Sequence, residues 1–395
     1  MINRRNHLNQ LDIIMKEIFS RNKAIYLTGI LGLLISTIAN ADWSIKGVGT
    51  LAGIGVSSAG GINEPGQIIG NSHTAAGGSY QALFITGNNG IGMTELDTLG
   101  AYSYPSAIND SGQIAGIFTT ARGVTHAFST GRDGVGMTDL GTLGGRFSFA
   151  SDINNSGQVV GGSYTTGTDS IHAFVTDANG IGMRDLGTLG GTYSYANAVN
   201  NSGQVVGYSQ TADGQFHSFI TGVGGVGMHD LGTLGGKYSF ANSINEHGQV
   251  VGYSETAEGH LQAFITNANG AGMTKLHVGG NSIAVDINNL GQVLGYSGDD
   301  AFIVGANGGK IELSALDVIM EDGWSNIHVV ALNNHGQIVG FGQHHNNSNE
   351  AFLLSFTEDT VFPAPIPEPQ TYAMLLAGLG LLGGIACRKK TIKMS

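Results

Sequence analysis

The chain has little of several residue types on which other structural classes depend. Only one of its 395 residues is cysteine, Cys387, so disulfides within the chain are excluded. Charged residues make up only 12% of the chain, which excludes a coiled coil and a highly charged disordered chain. The 65 glycines show no G-X-Y period, which excludes collagen. With 41% hydrophobic residues, the chain can form a packed core in which glycine marks the turns.

The negative charge is concentrated in the middle of the chain. The two ends, residues 1–41 and 367–395, hold nine of the 17 basic residues and three of the 29 acidic ones. The middle therefore keeps 8 basic and 26 acidic residues, a net charge of −18. Such a body repels phosphate backbones, so we expect no nucleic-acid partner. This acidity suits a soluble exported protein, or one that gathers divalent cations.

The first 41 residues have the pattern of a secretory signal peptide. A basic segment precedes an apolar run at 24–38, and Ala39-Asn40-Ala41 then gives the small residues that signal peptidase needs, predicting a cut after Ala41. A retained membrane helix is the weaker alternative because the run is shorter than about 20 residues. Since the segment before the run is long, Met15 is an alternative start to Met1.

A second apolar segment lies near the other end. Pro367-Glu368-Pro369 precedes an apolar stretch from Tyr372 to Ala386, and Arg388, Lys389 and Lys390 follow it. This pattern predicts a short membrane helix with a basic stop on its cytoplasmic side, within a tail of residues 363–395. The body would then lie outside the inner membrane.

These three parts, in this order, resemble the PEP-CTERM sorting signal of Gram-negative bacteria. The resemblance implies recognition by an exosortase, a membrane transpeptidase-like enzyme, and removal of the tail near Pro367, Glu368 and Pro369. It also implies a precursor held transiently in the inner membrane, in a bacterium that makes extracellular polysaccharide. An ordinary C-terminal anchor, with the tail retained, is the alternative.

An internal repeat fills the body, residues 42–362. Seven Gly-Gln pairs recur at intervals of 43 to 46 residues and leave no separate domain over. Their glycines are Gly66, Gly112, Gly157, Gly203, Gly248, Gly291 and Gly336.

Each copy carries four runs that predict strands. In the third copy they are Ser148–Asn154, Gln158–Tyr164, His172–Thr176 and Met183–Leu189. An Asn-x-x-Gly link joins the first two, and a loop containing Asn179-Gly180 precedes the fourth; both are typical of hairpins. The unit is therefore a four-stranded antiparallel meander.

The predicted fold is all-β, a seven-bladed β-propeller. Copies of about 45 residues with two hairpins each suit propeller blades, and a β-solenoid is the alternative. The last copy ends with the run Ala351–Phe356 and lacks a fourth strand. The segment Trp43–Leu51 ends in the same Gly-Thr-Leu as the other fourth strands, so we expect it to pair with Ala351–Phe356 and close the ring.

Repeated motifs resemble those of the HAF-repeat family of probable extracellular bacterial proteins. They are His-Ala-Phe at His126–Phe128 and His172–Phe174, its variant His217–Phe219, and the DLGTLGG and GQVVG blocks. The resemblance spans about residues 43–357 and implies an extracellular location, but the family carries no established activity. The other copies replace the histidine with Gln81, Gln262, Asp300 and Glu350.

The repeated polar residues are interpreted first as scaffold. The histidines lie one whole blade apart, so they form no local metal motif, and His344-His345 is interpreted as a surface loop with no more than incidental metal contact. Three aspartates could ligate calcium, but we expect them to accept backbone hydrogen bonds at turns. They are Asp139, Asp185 and Asp230.

Aromatic residues alternate with serine at the starts of several copies. We expect them to pack between blades, and a sugar-binding surface is the alternative. They are Phe147, Phe149, Tyr193, Tyr195, Tyr238 and Phe240.

The link from Ser314 to Ile327 departs most from the repeat. It carries Glu321, Asp322 and Trp324, which we take as the speculative ligand-binding residues because carboxylates beside a tryptophan suit sugar recognition. The adjacent carboxylates point in different directions, however, so an irregular loop is the simpler interpretation.

The sequence therefore predicts an exported, non-enzymatic structural or binding protein of the cell surface or extracellular matrix. Its expected partners are signal peptidase and an exosortase during export, and extracellular polysaccharide afterwards. No cofactor, catalytic residue or metal ligand is predicted. The alternatives are an enzyme acting on extracellular polysaccharide and a calcium-dependent adhesion module.

Overall fold

A computed structural model of the chain describes residues 43–53, 55–74, 81–98, 102–167, 170–345 and 348–356. The chain divides into two units, Met1–Ala41 and Asp42–Ser395, and all described residues belong to the second. The predicted signal peptide, membrane helix and sorting tail lie outside the described residues. Within the described ranges, no helix is long and apolar enough to span a bilayer.

The described strands form seven four-stranded antiparallel sheets in a ring, a seven-bladed β-propeller as predicted. Blade 1 contains β2 (Ser57–Ile62), β3 (Ile68–His73), β4 (Gln81–Thr86) and β5 (Met93–Glu95). Blade 2 contains β6 (Ser103–Ile108), β7 (Ile114–Thr119), β8 (Thr125–Thr130) and β9 (Met137–Asp139). Blade 3 contains β10 (Gly144–Ile153), β11 (Val159–Thr165), β12 (Ile171–Thr176) and β13 (Met183–Asp185).

Blades 4 to 6 repeat this arrangement. Blade 4 contains β14 (Gly190–Val199), β15 (Val205–Thr211), β16 (Phe216–Thr221) and β17 (Met228–Gly232). Blade 5 contains β18 (Gly235–Ile244), β19 (Val250–Thr256), β20 (Leu261–Ile265) and β21 (Thr274–Lys275). Blade 6 contains β22 (Ser282–Ile287), β23 (Val293–Ser297), β24 (Asp300–Val304) and β25 (Lys310–Glu312).

Blade 7 combines both ends of the propeller. It contains β26 (Trp324–Leu332), β27 (Gln337–His344) and β28 (Ser348–Phe356), with β1 (Trp43–Gly47) as its outer strand. One short α-helix, α1 (Asp317–Glu321), precedes β26. The remaining described helical turns are 3-10 turns at Asn88–Gly90, Arg132–Gly134, Ala178–Gly180, Val223–Gly225, Ala268–Gly270 and Leu313–Ala315.

The first strand of every blade lies innermost. Each first strand contacts the first strands of both neighbouring blades, as β14 contacts β10 and β18. The sheet order then places the second and third strands outside it and the short fourth strand at the rim. Residues of the first strands therefore surround the axis of the ring.

The predicted hairpins are present, and the fourth strand is shorter than predicted. In the first hairpin of blade 3, Gly157 has φ +77° and its N–H donates to the Asn154 carbonyl at 2.9 Å. The fourth strand ends at Asp185 and not at Leu189, because the Asp185 carboxylate accepts the Gly187 N–H at 2.7 Å and Gly187 turns the chain at φ +74°.

A phenylalanine packed on a glycine explains why the His-Ala-Phe and GQVVG motifs recur. Phe174 is fully buried and lies opposite Gly161 in the β11–β12 pair. A Cβ on Gly161 would stand 1.9 Å from the Phe149 carbonyl oxygen of the inner strand, so only glycine fits there. The same fully buried phenylalanine recurs in every blade, at Phe84, Phe128, Phe174, Phe219, Phe264, Phe302 and Phe352.

A ring of buried asparagines joins the seven blades. The Asn200 side-chain N–H groups donate to the Asn245 carbonyl of the next blade at 3.2 Å and to the Gln204 side chain at 2.9 Å, while Asn200 Oδ1 accepts the Gln204 N–H. Every blade repeats the contact to the next blade, and Asn333 returns it to Asn63. The seven members are Asn63, Asn109, Asn154, Asn200, Asn245, Asn288 and Asn333.

The residue after each of these asparagines forms a second ring nearer the solvent. The exposed Asn201 side chain accepts the Asn155 N–H of the preceding blade at 2.8 Å, and Glu64 accepts the Asn334 N–H where the ring closes. Each blade is thus joined to the next by a buried and an outer hydrogen bond.

The predicted pairing of the two ends of the propeller is confirmed. Strand β1 pairs antiparallel with β28, with Trp43 opposite Phe356 and Gly47 opposite Phe352. The Trp43 and Phe356 ring centroids lie 4.8 Å apart. The pairing strand ends at Gly47, four residues before the predicted Leu51.

Candidate functional site

The irregular link before blade 7 buries its tryptophan. Trp324 begins β26 and is only 4% exposed. The His344 ring stacks on the indole at 4.2 Å between centroids and 7° between planes, and Phe352 meets it edge-on at 5.4 Å. The His344 ring therefore covers one face of the indole, and little of the Trp324 side chain is accessible to solvent.

The two carboxylates of the link have different surroundings. Glu321 is exposed at the end of α1. Asp322 follows the helix, and its Oδ2 accepts the Trp324 Nε1–H at 3.0 Å. The structure thus brings Asp322 and Trp324 together and leaves Glu321 apart. A ligand-binding role for these three residues stays a prediction.

His344 joins this pair because β26 and β27 are neighbours. In their register, Trp324 lies opposite His344. The Nδ1 atom of His344 is 2.9 Å from Glu350 Oε2, and its Nε2 is 3.1 Å from the Asp322 carbonyl oxygen and 3.6 Å from Asp322 Oδ2. Carboxylates thus flank both ring nitrogens of His344.

His345, which follows His344, has an unusual backbone conformation. Its φ of +37° lies in the left-handed region, which costs free energy in a residue with a side chain. Its ring centroid is 4.1 Å from that of His344, and its Nδ1 would be 2.8 Å from a Cβ on Gly323. We call Asp322, Trp324, His344, His345 and Glu350 the blade 7 cluster.

The blade 7 cluster lies beside a cleft at the closure of the ring. Asp322, His344 and His345 each offer a ligand atom within 4.8 Å of the others, and among the described residues no second group of three such side chains is found. Glu350 Oε1 accepts the Gly49 N–H at 3.1 Å. The cleft, of about 240 Å³, is lined by Gly49, Thr50, Gly53, Gly55, His344, His345, Ser348 and Glu350.

The histidines of blades 2 to 4 pair with the aspartates that sequence reasoning singled out separately. His172 Nδ1 lies 2.8 Å from Asp185 Oδ2, and His126–Asp139 and His217–Asp230 repeat the pair at 2.9 and 2.8 Å. Each aspartate also accepts a backbone N–H two residues later, as expected. The pairs lie on the outer two strands of separate blades. Calcium binding at these aspartates stays a prediction.

Aromatic rings form a continuous group across blades 4 and 5. Tyr208 contacts Tyr193 at 6.0 Å, Phe216 at 6.1 Å and Phe240 of the next blade at 5.0 Å, and Phe240 stacks on Tyr253 at 5.0 Å. All five are half-buried. We call these five residues the aromatic surface; the contact of Phe240 with Tyr208 is packing between blades, as the sequence predicted for Phe240.

Further aromatics lie beside the aromatic surface. Tyr195 stacks on Tyr208 at 5.9 Å, and its hydroxyl lies 3.3 Å from Ser151 Oγ in blade 3. Tyr238, two residues before Phe240 on the same strand, is 40% exposed. Because alternate residues of a strand face the same side, Tyr238 extends this group towards the solvent.

Two aspartates break the repeat at the axis of the ring. Asp152 of blade 3 accepts the Val199 N–H at 2.9 Å, and Asp286 of blade 6 accepts the Leu332 N–H at 2.8 Å. Each aspartate residue is partly exposed, whereas protein atoms surround its carboxyl group. Burial raises the pKa of Asp152 to about 7 and also raises the pKa of Asp286. The negative charge of Asp286 adds to the shift of the Asp152 pKa.

Sequence reasoning missed the His–Asp pairs and the axial aspartates, although the sequence carries a signal for both. Each His–Asp pair is separated by 13 residues, and a third strand joined to a fourth by a hairpin places such residues side by side. The axial aspartates stand two residues before a ring asparagine, where blades 2, 4 and 7 have alanine. An acid at a position of small residues is the signal that could have identified them.

One family model matches the chain: the PEP-CTERM protein-sorting motif, over residues 365–390. The match implies export of the chain, a membrane-anchored precursor and processing by an exosortase. No curated protein matches the sequence of the chain.

Solved structures share the propeller fold. The β-propeller domain of the Trilobed protease from Pyrococcus furiosus is 10% identical, with a TM-score of 0.52 over 78% of this chain and 100% of that one. A puromycin-hydrolyzing peptidase of Mycobacterium tuberculosis is 12% identical, with a TM-score of 0.52 over 84% of this chain and 56% of that one.

A puromycin hydrolase is also 12% identical, with a TM-score of 0.50 over 80% of this chain and 55% of the hydrolase. The chain thus spans about half the length of these two hydrolases. At such identities the likeness shows the fold alone. The chain is therefore a seven-bladed β-propeller that carries a PEP-CTERM sorting motif at residues 365–390.

Proposed function

We propose that the chain is an exported, non-enzymatic binding protein of the cell surface or extracellular matrix, and that it binds polysaccharide. The observation that supports this proposal is the half-buried aromatic surface on blades 4 and 5. Aromatic rings present flat apolar faces, which suit the C–H faces of sugar rings. The tyrosines among them also carry hydroxyl groups that can hydrogen-bond to sugar hydroxyls.

The charge of the body narrows the class of polysaccharide. A net charge of −18 over residues 42–366 repels acidic polymers at low ionic strength. We therefore expect a neutral polysaccharide to bind more tightly than a uronic-acid polymer. The match to the PEP-CTERM sorting motif supports a location at the cell surface or in the extracellular matrix, since it implies export of the chain.

Affinity electrophoresis of the full chain in gels containing neutral or acidic polysaccharide tests this proposal. A double variant, Tyr193→Ala with Tyr238→Ala, should lose at least tenfold in affinity for the neutral polymer. Tyr102→Ala is the matched control, because Tyr102 is 58% exposed on blade 2, away from the aromatic surface. Equal retardation of the double variant and the wild type would refute the proposal.

The axial aspartates favour one alternative, an enzyme acting on extracellular polysaccharide. Asp152 and Asp286 are the kind of non-repeated acids that such chemistry needs, and a carboxyl group with a raised pKa can donate a proton near neutral pH. Release of reducing ends from polysaccharide by the wild type, with its loss in Asp152→Asn, would establish the alternative. Unchanged release in that variant would exclude a catalytic role for Asp152.

A further inference from the structure

Both ring nitrogens of His344 in the blade 7 cluster face oxygen acceptors. A neutral imidazole carries a single N–H, and Glu350 Oε2 at 2.9 Å from Nδ1 is a strong acceptor for it. The lone pair of Nε2 then faces two more acceptors, the carbonyl oxygen and Oδ2 of Asp322, at 3.1 and 3.6 Å. A second proton on the ring, or a metal cation between Nε2 and Oδ2, would remove this repulsion.

The spacing of the same atoms is close to that of a metal site. Two ligand atoms of a tetrahedral zinc ion lie about 3.3 Å apart, because each bond is about 2.0 to 2.1 Å long. The separation of 3.6 Å between His344 Nε2 and Asp322 Oδ2 is close to this value. The ligand atom of His345 lies within 4.8 Å of both, so a small movement of one side chain would complete the set.

Other groups of the cluster hold these ligands in place. Glu350 orients the His344 ring through Nδ1, which is how carboxylates support metal-binding histidines. Trp324 holds two of the three ligands in place, since its ring stacks on His344 and its Nε1–H donates to Asp322. The left-handed backbone of His345 is a local strain of the kind found at functional sites.

We propose that Asp322, His344 and His345 bind a divalent transition metal ion such as Zn²⁺, and that binding stabilises the closure of the ring. Two imidazoles and one carboxylate favour zinc over calcium, which prefers oxygen ligands only. Three protein ligands leave the fourth position open on the side of the cleft. Glu350 links His344 to the Gly49 N–H just after β1, so the metal would tie β27 to the strand that closes the propeller.

Titration of the metal-free full chain with Zn²⁺ in a calorimeter tests whether the metal binds. Titration with Cu²⁺, followed by tryptophan fluorescence, tests whether a metal binds beside Trp324. The chain has two tryptophans, and Trp324 touches the proposed ligand His344, so Cu²⁺ should quench its fluorescence at a 1:1 ratio. Two conservative variants remove a ligand. Asp322→Asn keeps an acceptor for the Trp324 N–H, and His345→Gly suits the positive φ.

Each ligand variant should weaken Zn²⁺ binding at least tenfold and lose the 1:1 quenching. His328→Ala is the matched control, an exposed histidine of the same blade outside the cluster, and should bind as the wild type does. Zn²⁺ should also raise the melting temperature of the wild type and not that of His345→Gly. Absence of saturable Zn²⁺ binding, or binding by both ligand variants within twofold of the wild type, would overturn the proposal.

Discussion

Asn200→Ala removes one member of the buried asparagine ring, and its effect measures how strongly the blades are joined. Asn200 is 2% exposed. Its amide donates to the Asn245 carbonyl and to the Gln204 side chain, and accepts the Gln204 N–H at 3.0 Å. The Asn245 carbonyl keeps a second donor, the Gly248 N–H, whereas the Gln204 N–H loses the one acceptor that the structure shows for it.

The contacts of Asn200 set the expected magnitude. An orphaned buried donor costs about 1 to 3 kcal/mol, and each lost side-chain hydrogen bond about 0.5 to 1.5 kcal/mol. We therefore expect Asn200→Ala to lower the free energy of unfolding by about 3 kcal/mol. Asn201→Ala is the matched control, because Asn201 is exposed and water can replace its single contact with the Asn155 N–H; a loss of about 0.5 kcal/mol or less is expected.

Urea unfolding followed by two signals checks this prediction. Circular dichroism reports on all seven blades, whereas fluorescence reports on blade 7, where Trp43 and Trp324 both lie. If the asparagine ring makes the propeller one cooperative unit, Asn200→Ala in blade 4 shifts both midpoints equally. Losses for Asn200→Ala and Asn201→Ala that agree within about 0.5 kcal/mol would refute the reasoning.

Two further predictions concern stability. Asp152 has a pKa of about 7 in the folded chain, against an ordinary value of 3.8 that applies when the chain is unfolded. The folded state therefore binds the Asp152 proton more tightly, and the free energy of unfolding falls as the pH rises from about 4 to about 7. Asp152→Asn keeps an acceptor for the Val199 N–H and should raise the melting temperature by several degrees more at pH 8 than at pH 5; an equal change at both would contradict this. Gly161→Ala should cost about 1 to 3 kcal/mol or more, because its Cβ would stand 1.9 Å from the Phe149 carbonyl oxygen. In Gly61→Ala the nearest atom is 3.6 Å from the Cβ, so chemical denaturation should show little change; similar losses in both would contradict the packing argument.

The architecture could be predicted from sequence because the residues that recur in every copy include those that form the turns. Glycine with positive φ, as at Gly157, marks where each hairpin turns, and the spacing of these glycines gives the number of blades. The closure was predictable because β1 supplies the outer strand that the last copy lacks. Strand ends were less predictable, since a side-chain contact such as Asp185 to the Gly187 N–H decides them.

The contacts between blades could not be predicted in the same way. Asn154 suits the turn that follows it, and nothing in that local pattern shows that its amide also reaches the Asn200 carbonyl of the next blade. Burial of Trp324 has a similar cause: it depends on His344, 20 residues later, and on Phe352 of the next strand. Such contacts follow from strand register and from packing between sheets, which local residue patterns do not contain.

The hydrogen bonds of the ring also show where a ligand can bind. In a ring asparagine such as Asn200, both amide N–H groups donate within the protein and the amide oxygen accepts the N–H of the residue four positions later. These side chains have no donor left for a ligand, although they are the most regular polar residues of the chain. Binding chemistry therefore has to come from other positions. The axial Asp152 and the metal-ligand candidate His345 lie where the copies differ, whereas Tyr238 repeats the tyrosine that blades 2 and 4 have at Tyr102 and Tyr193.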